Sequence, residues 1–481
     1  IPDSTLAQEG SFIVKIKAIN DSLRIYKKQA QLQKKRIDGL EQKLHKIEGE
    51  FVNFQNKTQK RYANYTLPNQ RNKSVSIPLV QKSLKKQAAF IEYFYGEQFV
   101  YAFLITKNTV QFFKLGSVEE MLGLVADFKN SLHHQEKKFI YTSGFLYDKL
   151  FKAFENHLTS IKKITIIPDG ALSYLPFEAF IKNPPKDWNY DFSTLPYLIK
   201  NYQFAYHQSA KSFLTPKTIQ PRPKEKILSL VPLFNEAIKK NFPNSSDSVY
   251  SELNELSNSV NLFNSVNRHY QTKLLLGKEA NLINFAKYLN APIIHLATHT
   301  LINEDAPLES KIAFAKSDSA DSGYYFLKDL YQVSLNNELV VLGSCETGRG
   351  TFTKGEGMVS LAYGFDLAGA ASTVYSLWKV DEDATIDLMK YFYANLGKGQ
   401  TKDLALHQAK IQYLSQANEI ESSPFYWAAF VFNGDTLPIQ NVQISNYLRN
   451  FYLKLVVVLS VIVMTIGFGF YYFKNRPSSI A

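Results

Sequence analysis

The sequence predicts an α/β fold in which a largely parallel sheet is covered by helices on both faces. From residue 227 onwards, six short runs are rich in β-branched and other apolar residues and lack polar alternation: 227–231, 293–297, 311–315, 339–343, 372–377 and 428–432. Helical patterns separate several of them, at 281–288, 358–367, 384–395 and 402–414. Apolar strands that alternate with helices are typical of parallel sheets buried between helical layers. Ligands bind at the carboxyl ends of the strands in such folds, so a functional site is expected there.

A second α/β unit is predicted upstream, at residues 76–215. It contains β-rich runs at 89–95, 99–106 and 110–115, helical patterns at 118–132 and 147–158, and a strand at 164–167. Residues 216–226 contain three prolines and four lysine or arginine residues, a composition typical of a linker. We therefore predict two α/β parts, 76–215 and 227–437, joined by the linker 216–226.

Composition narrows the classes of function. The chain has 481 residues, of which 45% are apolar and 14% aromatic, enough for more than one packed core. Its net charge of +12 comes from basic residues that are spread along the chain, so no nucleic-acid partner is expected. Cys345 is the one cysteine, which excludes an intramolecular disulfide framework and any multi-cysteine metal site and fits a reducing compartment.

Residues 1–75 are predicted to be mainly helical. Between residues 22 and 57, apolar side chains recur at spacings of three and four: Ile37, Leu40, Leu44, Ile47, Phe51 and Phe54. This stripe predicts one long helix, which either forms a coiled coil, and so offers a surface to a regulatory partner, or packs on other helices. The sequence leaves both alternatives open.

The run 455–473 consists of 19 uncharged residues between Lys454 and Lys474. As a helix it would be about 28 Å long, close to the thickness of the hydrocarbon core of a bilayer. We predict a single transmembrane helix at 455–473, preceded by a juxtamembrane linker at 438–454. Basic residues flank both ends, but only eight residues follow the run and no signal-peptide pattern precedes it, so we expect the large domain to be cytoplasmic.

Two predicted strands end on reactive side chains. His299 follows the run 293–297, and Cys345 follows the run 339–343. If these strands are neighbours, their carboxyl ends hold a nucleophile and a base at a fixed distance.

A zinc site is the alternative role for the histidines, because His295 and His299 have the spacing of a helical metalloprotease motif. However, no glutamate follows His295, and Pro292 with the β-branched residues after it indicates a strand, in which the two rings lie about 13 Å apart. We therefore interpret His295 as a hydrogen-bonded core residue and expect neither a metal nor another cofactor.

Five segments resemble the CHAT domain family in order and spacing. They are Ile-Pro-Asp-Gly at 167–170 with Leu-Pro-Phe-Glu at 175–178, His-Leu-Ala-Thr-His at 295–299, Gly-Ser-Cys-Glu-Thr-Gly at 343–348, Gly-Glu-Gly at 355–357 and Ser-Leu-Trp-Lys-Val-Asp at 376–381. The resemblance extends from about residue 77 to residue 435. CHAT domains are relatives of caspases and separases, so the resemblance implies a caspase-like fold, an inactive first half at 76–215, an active second half at 227–437, and in many relatives tetratricopeptide repeats upstream.

The resemblance also implies roles for individual residues. His299 and Cys345 match the catalytic dyad, and the backbone amides of Thr300 and Cys345 match an oxyanion hole. Many relatives have glycine after the catalytic histidine where this chain has Thr300, and a side chain there restricts the backbone conformations of the oxyanion donor.

Three acidic residues are candidates for binding a basic substrate side chain, because acids in this neighbourhood do so in separase-like relatives. They are Glu356, Asp381 and Asp383. The alternative is that these residues only begin helices, where carboxylates are favourable.

Two functions are consistent with these patterns. The first is a membrane-anchored cysteine endopeptidase that acts on a protein substrate and is restrained by an upstream domain or a partner. The second is a catalytically silent, membrane-tethered scaffold for protein interactions. A histidine and a cysteine together at two strand ends favour the enzyme.

Overall fold

A computed structural model describes residues 75–185, 191–217, 219–220, 226–235, 258–303, 306–317, 322–343, 350–353 and 357–442, with the side chains of 350–359 excepted. It also describes residues 250, 252–253 and 255–256 and isolated positions within 11–54 and 456–466. Cys345 and Glu356 lie outside the described residues.

The described residues form sixteen strands. In chain order they are β1 (Ala88–Tyr95), β2 (Phe99–Thr106), β3 (Val110–Ser117), β4 (Lys163–Ile167), β5 (Gln203–Tyr206), β6 (Ile227–Val231), β7 (Thr272–Leu276), β8 (Ile293–Leu296), β9 (Thr300–Leu301), β10 (Lys311–Ala313), β11 (Tyr324–Phe326), β12 (Leu339–Leu342), β13 (Gly350–Thr353), β14 (Gly357–Ser360), β15 (Ser372–Ser376) and β16 (Phe430–Gly434). Eleven of these strands make one sheet, in the order β3-β2-β1-β4-β5-β16-β15-β12-β8-β6-β7.

The α-helices of the described residues 75–442 cover this sheet. They are α1 (Ile77–Ser83), α2 (Val118–His133), α3 (Phe139–Leu150), α4 (Glu155–Leu158), α5 (Ala210–Leu214), α6 (Ser259–Val266), α7 (Leu282–Lys287), α8 (Leu327–Leu330), α9 (Leu361–Ala368), α10 (Glu382–Gly397), α11 (Lys402–Gln416) and α12 (Pro424–Trp427). The predicted α/β architecture, with a large and mostly parallel sheet between helices, is confirmed.

Parallel pairing follows from the apolar runs. β7–β6, β6–β8, β8–β12 and β12–β15 are parallel, as are β1–β4 and β4–β5. Every residue of β6, β8, β12 and β15 is buried, as expected for strands with a helical layer on each face. The antiparallel strand β16 bridges β5 at Asn433 and Tyr206, so the parts before and after the linker share one sheet.

The predicted helix 147–158 is not continuous, because α3 spans Phe139–Leu150 and α4 spans only Glu155–Leu158. Two predicted elements of the second part also differ from the structure. The run 311–315 is not part of the large sheet, because Lys311–Ala313 pairs locally with β9 and β11 in a separate three-stranded sheet. The predicted helix 358–367 begins only after Ser360, because Gly357–Ser360 forms a hairpin with β13. The Ser360 hydroxyl then caps α9 by accepting a hydrogen bond from the Tyr363 amide at 3.2 Å.

The described positions of the amino-terminal segment are helical and pack on one another. Ile19 is buried against Leu40, Leu44 and Ile47, and the rings of Phe12 and Phe54 lie 5.6 Å apart. Four members of the predicted apolar stripe therefore contact an earlier part of the same chain, which corresponds to the packing alternative. Binding of a regulatory partner through this segment stays a prediction.

Most of the predicted membrane segment 455–473 lies outside the described residues. Its described positions, Val456, Ser460 and 463–466, are helical and exposed. Among the residues that the structure describes, no helix has both the length and the apolar character needed to cross a bilayer.

Two histidines of the sheet should make the fold sensitive to acid. Burial lowers the pKa of His207 from 6.5 to about 4 and that of His295 from 6.5 to about 3, because the imidazolium loses its hydration. The unfolded chain binds these protons near pH 6.5 and the folded chain does not, so their contribution to stability is complete above pH 6.5 and is lost as the pH falls towards 4. We expect a loss of roughly 2 kcal/mol per histidine between pH 7 and pH 5.

Urea unfolding at pH 7, 6 and 5 measures this loss. The variant His134→Asn alters an exposed histidine and should keep the steep pH dependence, whereas His207→Gln should reduce the loss between pH 7 and pH 5 by roughly 2 kcal/mol. A free energy of unfolding that does not change between pH 7 and pH 5 would contradict the prediction.

Candidate active site

The site is built on the neighbouring strands β8 and β12. Leu342 of β12 pairs with Leu296 of β8, and the Gly343 amide donates to the Leu296 carbonyl at 2.9 Å. His299 lies three residues beyond Leu296, and Cys345 lies three residues beyond Leu342. The two sequence-predicted residues thus follow the carboxyl ends of adjacent parallel strands whose axes are about 4.8 Å apart.

His299 is half-buried at this edge of the sheet. Its carbonyl accepts a hydrogen bond from the Ala313 amide at 2.9 Å, which fixes the backbone against β10. The neighbouring Thr298 hydroxyl donates to the Ala313 carbonyl at 2.5 Å. These bonds hold the chain in an extended conformation as it leaves β8.

Thr300 is the first residue of β9 and pairs with Ile312. Its φ is not positive, and threonine favours the extended backbone of a strand. Because the hydrogen-bonded pair of this ladder is His299 with Ala313, the Thr300 amide points away from β10. The backbone at this position therefore does not need the conformational freedom of glycine.

Sequence reasoning did not identify the ring that packs on His299. Phe234 is fully buried, and its centroid lies 5.3 Å from the imidazole. The Phe234 ring also makes an edge-to-face contact with Tyr250 at 5.8 Å.

An unusual backbone positions Phe234 after β6. Leu233 has a φ of 68° and Phe234 a φ of 52°, and the Phe234 amide donates to the Pro232 carbonyl at 2.9 Å. This is a γ-turn of the rare, strained type. Two consecutive non-glycine residues in the left-handed region occur only where the surrounding structure enforces them, and such strain is typical of functional sites.

His295 is a core residue, as predicted. Its Nδ1 lies 2.8 Å from the Tyr393 hydroxyl, and its ring also packs on Phe263 of α6. The other ring nitrogen has no hydrogen-bond partner within the part of the chain that the structure describes, and it faces Gly343, where a Cβ would lie 3.0 Å from it. Gly343 therefore allows β12 to pass close to the buried imidazole. Among the described residues, no three potential metal ligands lie together.

The candidate acids at the start of α10 have local partners. The Asp381 carboxylate caps the helix by accepting a hydrogen bond from the Ala384 amide at 3.0 Å, which corresponds to the capping alternative. Asp383 is exposed and accepts a hydrogen bond from the Asn258 side chain at 3.2 Å.

Two curated proteins are similar to part of this chain. Tetratricopeptide repeat protein 28 of Mus musculus and that of Homo sapiens are each 30% identical to this chain over 113 residues, which is 24% of this chain and 4% of theirs. The chain thus corresponds to a small fraction of the length of these curated relatives.

Two solved structures are similar at low identity. The Arg-specific cysteine proteinase gingipain R has a TM-score of 0.39 and 8% identity, over 67% of this chain and 76% of that chain. A chain of the Saccharomyces cerevisiae separase-securin complex has a TM-score of 0.42 and 9% identity, over 74% of this chain and 30% of that chain.

A match to a family model identifies the family of this chain. The model described as CHAT domain matches residues 142–435, so the matched segment begins later than the sequence motifs suggested and still covers more than half of the chain. It includes β4 and β5 and all the strands from β6 to β16. The chain therefore belongs to the CHAT domain family.

Proposed function

We propose that this chain is a caspase-like cysteine endopeptidase whose catalytic dyad is His299 and Cys345. The observation that carries the proposal is the register of β8 and β12, from which the two residues extend by the same number of positions. A scaffold has no need of a base and a nucleophile on adjacent strand ends.

The chemistry follows from the thiol. A free cysteine of pKa near 8.5 is only a few per cent thiolate at neutral pH, so His299 must take the Cys345 proton or hold the thiolate as an ion pair. The thiolate attacks the peptide carbonyl, and the bond to nitrogen breaks as His299 gives its proton to the leaving amine. Water then cleaves the thioester, with His299 as the base. The amides of Thr300 and Cys345 stabilise the oxyanion, each by about 3 kcal/mol.

A thiol-directed probe tests the proposal against the catalytically silent scaffold. Iodoacetamide should alkylate Cys345 of the full chain at pH 7 far faster than it alkylates a free cysteine, and His299→Ala should remove this excess rate. A parent rate equal to that of a free thiol would support the scaffold.

We assign Phe234 as a positioning residue for His299. The buried ring limits rotation of the imidazole, so Phe234→Leu should lower kcat by about 10- to 100-fold with little change in KM, because a small misplacement of a catalytic group is costly. Phe234→Tyr keeps a planar ring and should retain most of the activity. Parent kcat in the leucine variant would refute this role.

For specificity we propose a preference for Lys or Arg before the scissile bond, through Glu356 and the exposed Asp383. The cap formed by Asp381 leaves that residue a smaller role. Asp383→Asn should weaken the preference in a peptide library, while Asp381→Asn, which still caps a helix, should not. A library that selects Asp or a large apolar residue at this position would reject the assignment.

We also propose that 455–473 crosses the membrane once, with the peptidase in the cytoplasm and the amino-terminal segment facing a regulatory partner. The motive for the span is the uncharged run itself, and the motive for the orientation is the single thiol of Cys345, which the cytoplasm would keep reduced. Protease added outside intact cells or spheroplasts should leave the region before residue 455 undigested. Digestion of that region would overturn the orientation, and recovery of the full chain in the soluble fraction would refute the span.

A further inference from the structure

The amino ends of β4 and β12, one in each part of the sheet, lie close together because both contact the start of α11. Lys163, the first residue of β4, contacts Asp403 at 2.5 Å. The next residue along α11, Lys402, donates to the carbonyl of Glu338 at 3.0 Å, and Glu338 directly precedes β12. We call this the amino edge; His299 lies at the opposite, carboxyl edge.

Exposed cations border the amino edge. Basic residues stand just before five of its strands, and all are exposed: Lys85 and Lys86 before β1, Lys162 before β4, Lys200 before β5, Lys226 before β6 and Arg268 before β7. These positions are far apart in sequence, so the concentration of charge arises only in the folded sheet.

The acidic side chains described below at the same edge form hydrogen bonds or ion pairs with other groups of the protein. Glu338 is 5% exposed, and its two oxygens accept the amides of Gln440 and Asn441 at 2.7 and 2.6 Å. Asp403 is 1% exposed and pairs with Lys163. Glu155 pairs with Lys182, and Asp435 lies 3.5 Å from Lys402. Among the residues of this edge that the structure describes, the exposed charges are therefore mainly basic.

The chain leaves the domain at this same edge. The Glu338 carboxylate holds Gln440 and Asn441 there, and Val442 is buried. The twelve residues 443–454 then lead to the apolar run 455–473. Fully extended, they reach at most about 45 Å, so a membrane span that begins at residue 455 would be tethered to this edge of the domain.

We infer that the amino edge rests on an anionic phospholipid surface and holds the candidate active site on the side of the domain away from the lipid. The inference rests on the membrane anchor proposed above. Juxtamembrane lysines and arginines are attracted by anionic headgroups, and the attraction acts within about 10 Å at 0.1 M salt. The orientation leaves His299 open to a protein substrate in the aqueous phase.

Fluorescence quenching on the full chain tests the orientation. Cys345→Ala first removes the native thiol. A single new cysteine is then labelled with a fluorophore, either Asn201→Cys at the amino edge or Gln98→Cys in the β1–β2 turn at the carboxyl edge; both positions are exposed. The chain is reconstituted into phosphatidylcholine vesicles with or without phosphatidylserine. Phosphatidylserine should reduce acrylamide quenching at position 201 at least twofold, reversibly in 0.5 M NaCl, and leave position 98 unchanged.

Charge reversal supplies the matched control. Lys162→Glu with Lys200→Glu should abolish the protection at position 201, whereas Lys278→Glu with Lys379→Glu, two exposed lysines that follow β7 and β15, should preserve it. If the chain floats with the vesicles but position 201 is quenched equally with and without phosphatidylserine, the inferred orientation is wrong and the anchor is unaffected. A chain that floats with neither vesicle would refute the anchor and the inference together. Neither result depends on peptidase activity.

Discussion

Replacing Cys345 by alanine should abolish peptide cleavage, with a loss in kcat of at least about 10³-fold, and His299→Ala should do the same. Nucleophile and base act as one unit, so the loss of either removes nearly the whole chemical contribution of the dyad. Because His299 is only half-buried, its alanine variant should unfold at a temperature close to that of the parent. Single-turnover cleavage and intact-mass detection of the thioester are the measurements.

The matched controls separate catalysis from folding. Cys345→Ser keeps a hydroxyl in the place of the thiol and should lose alkylation while keeping the fold. His134→Ala alters an exposed histidine outside the site and should leave kcat unchanged. If a substrate is found and Cys345→Ala still cleaves it, the peptidase assignment fails whatever the stability of the variant.

The strands that carry this site could be predicted because burial on both faces leaves a clear pattern. The runs that became β8 and β12 contain no charged residue, and their adjacency follows from the requirement that a base and a nucleophile meet. β5 was not predicted, because Gln203–Tyr206 is short and has no β-branched residue. Its strand conformation comes from the pairing with β4 and β16, which is a tertiary effect.

Phe234 is a clearer example of a site residue that the sequence alone does not predict. Local preferences disfavour a positive φ at leucine and at phenylalanine, and the turn signals nearby are Pro232 and Asn235, on either side of them. The conformation is enforced by the contacts with Tyr250 and His299, which are distant in sequence. Sequence reasoning that follows local preference predicts an ordinary turn at this point and misses the residue.

The motif Leu-Pro-Phe-Glu at 175–178 could be recognised in the sequence, but the structural role of Glu178 could not be predicted from it. Glu178 is 4% exposed and pairs at 2.5 Å with the ammonium of Lys410, which lies 232 positions away on α11. The Tyr206 hydroxyl donates to the other carboxylate oxygen and accepts the Phe177 amide at 2.9 Å. This cluster connects the part of the chain before the linker to the part after it.

Glu178→Gln should therefore destabilise the fold by about 3–5 kcal/mol, because it leaves the Lys410 ammonium buried without its counter-charge. Burial already lowers the pKa of Lys410, although the attraction of Glu178 opposes that shift. Without Glu178 the pKa should fall further, so the variant should recover part of its stability as the pH rises and Lys410 loses its proton. Urea unfolding at pH 7 and pH 9 measures both effects.

A double-mutant cycle completes the test. Lys410→Met alone leaves the carboxylate unpaired and should cost a similar amount, whereas Glu178→Gln combined with Lys410→Met leaves no buried charge and should recover much of the loss. The exposed pair of Lys390 and Asp387, at 2.8 Å, is the control, and Lys390→Met should cost less than about 1 kcal/mol. Additive losses in the double variant would mean that the two buried side chains act independently. In that case the contact between the two parts of the chain depends on the shared sheet at β5 and β16 rather than on this ion pair.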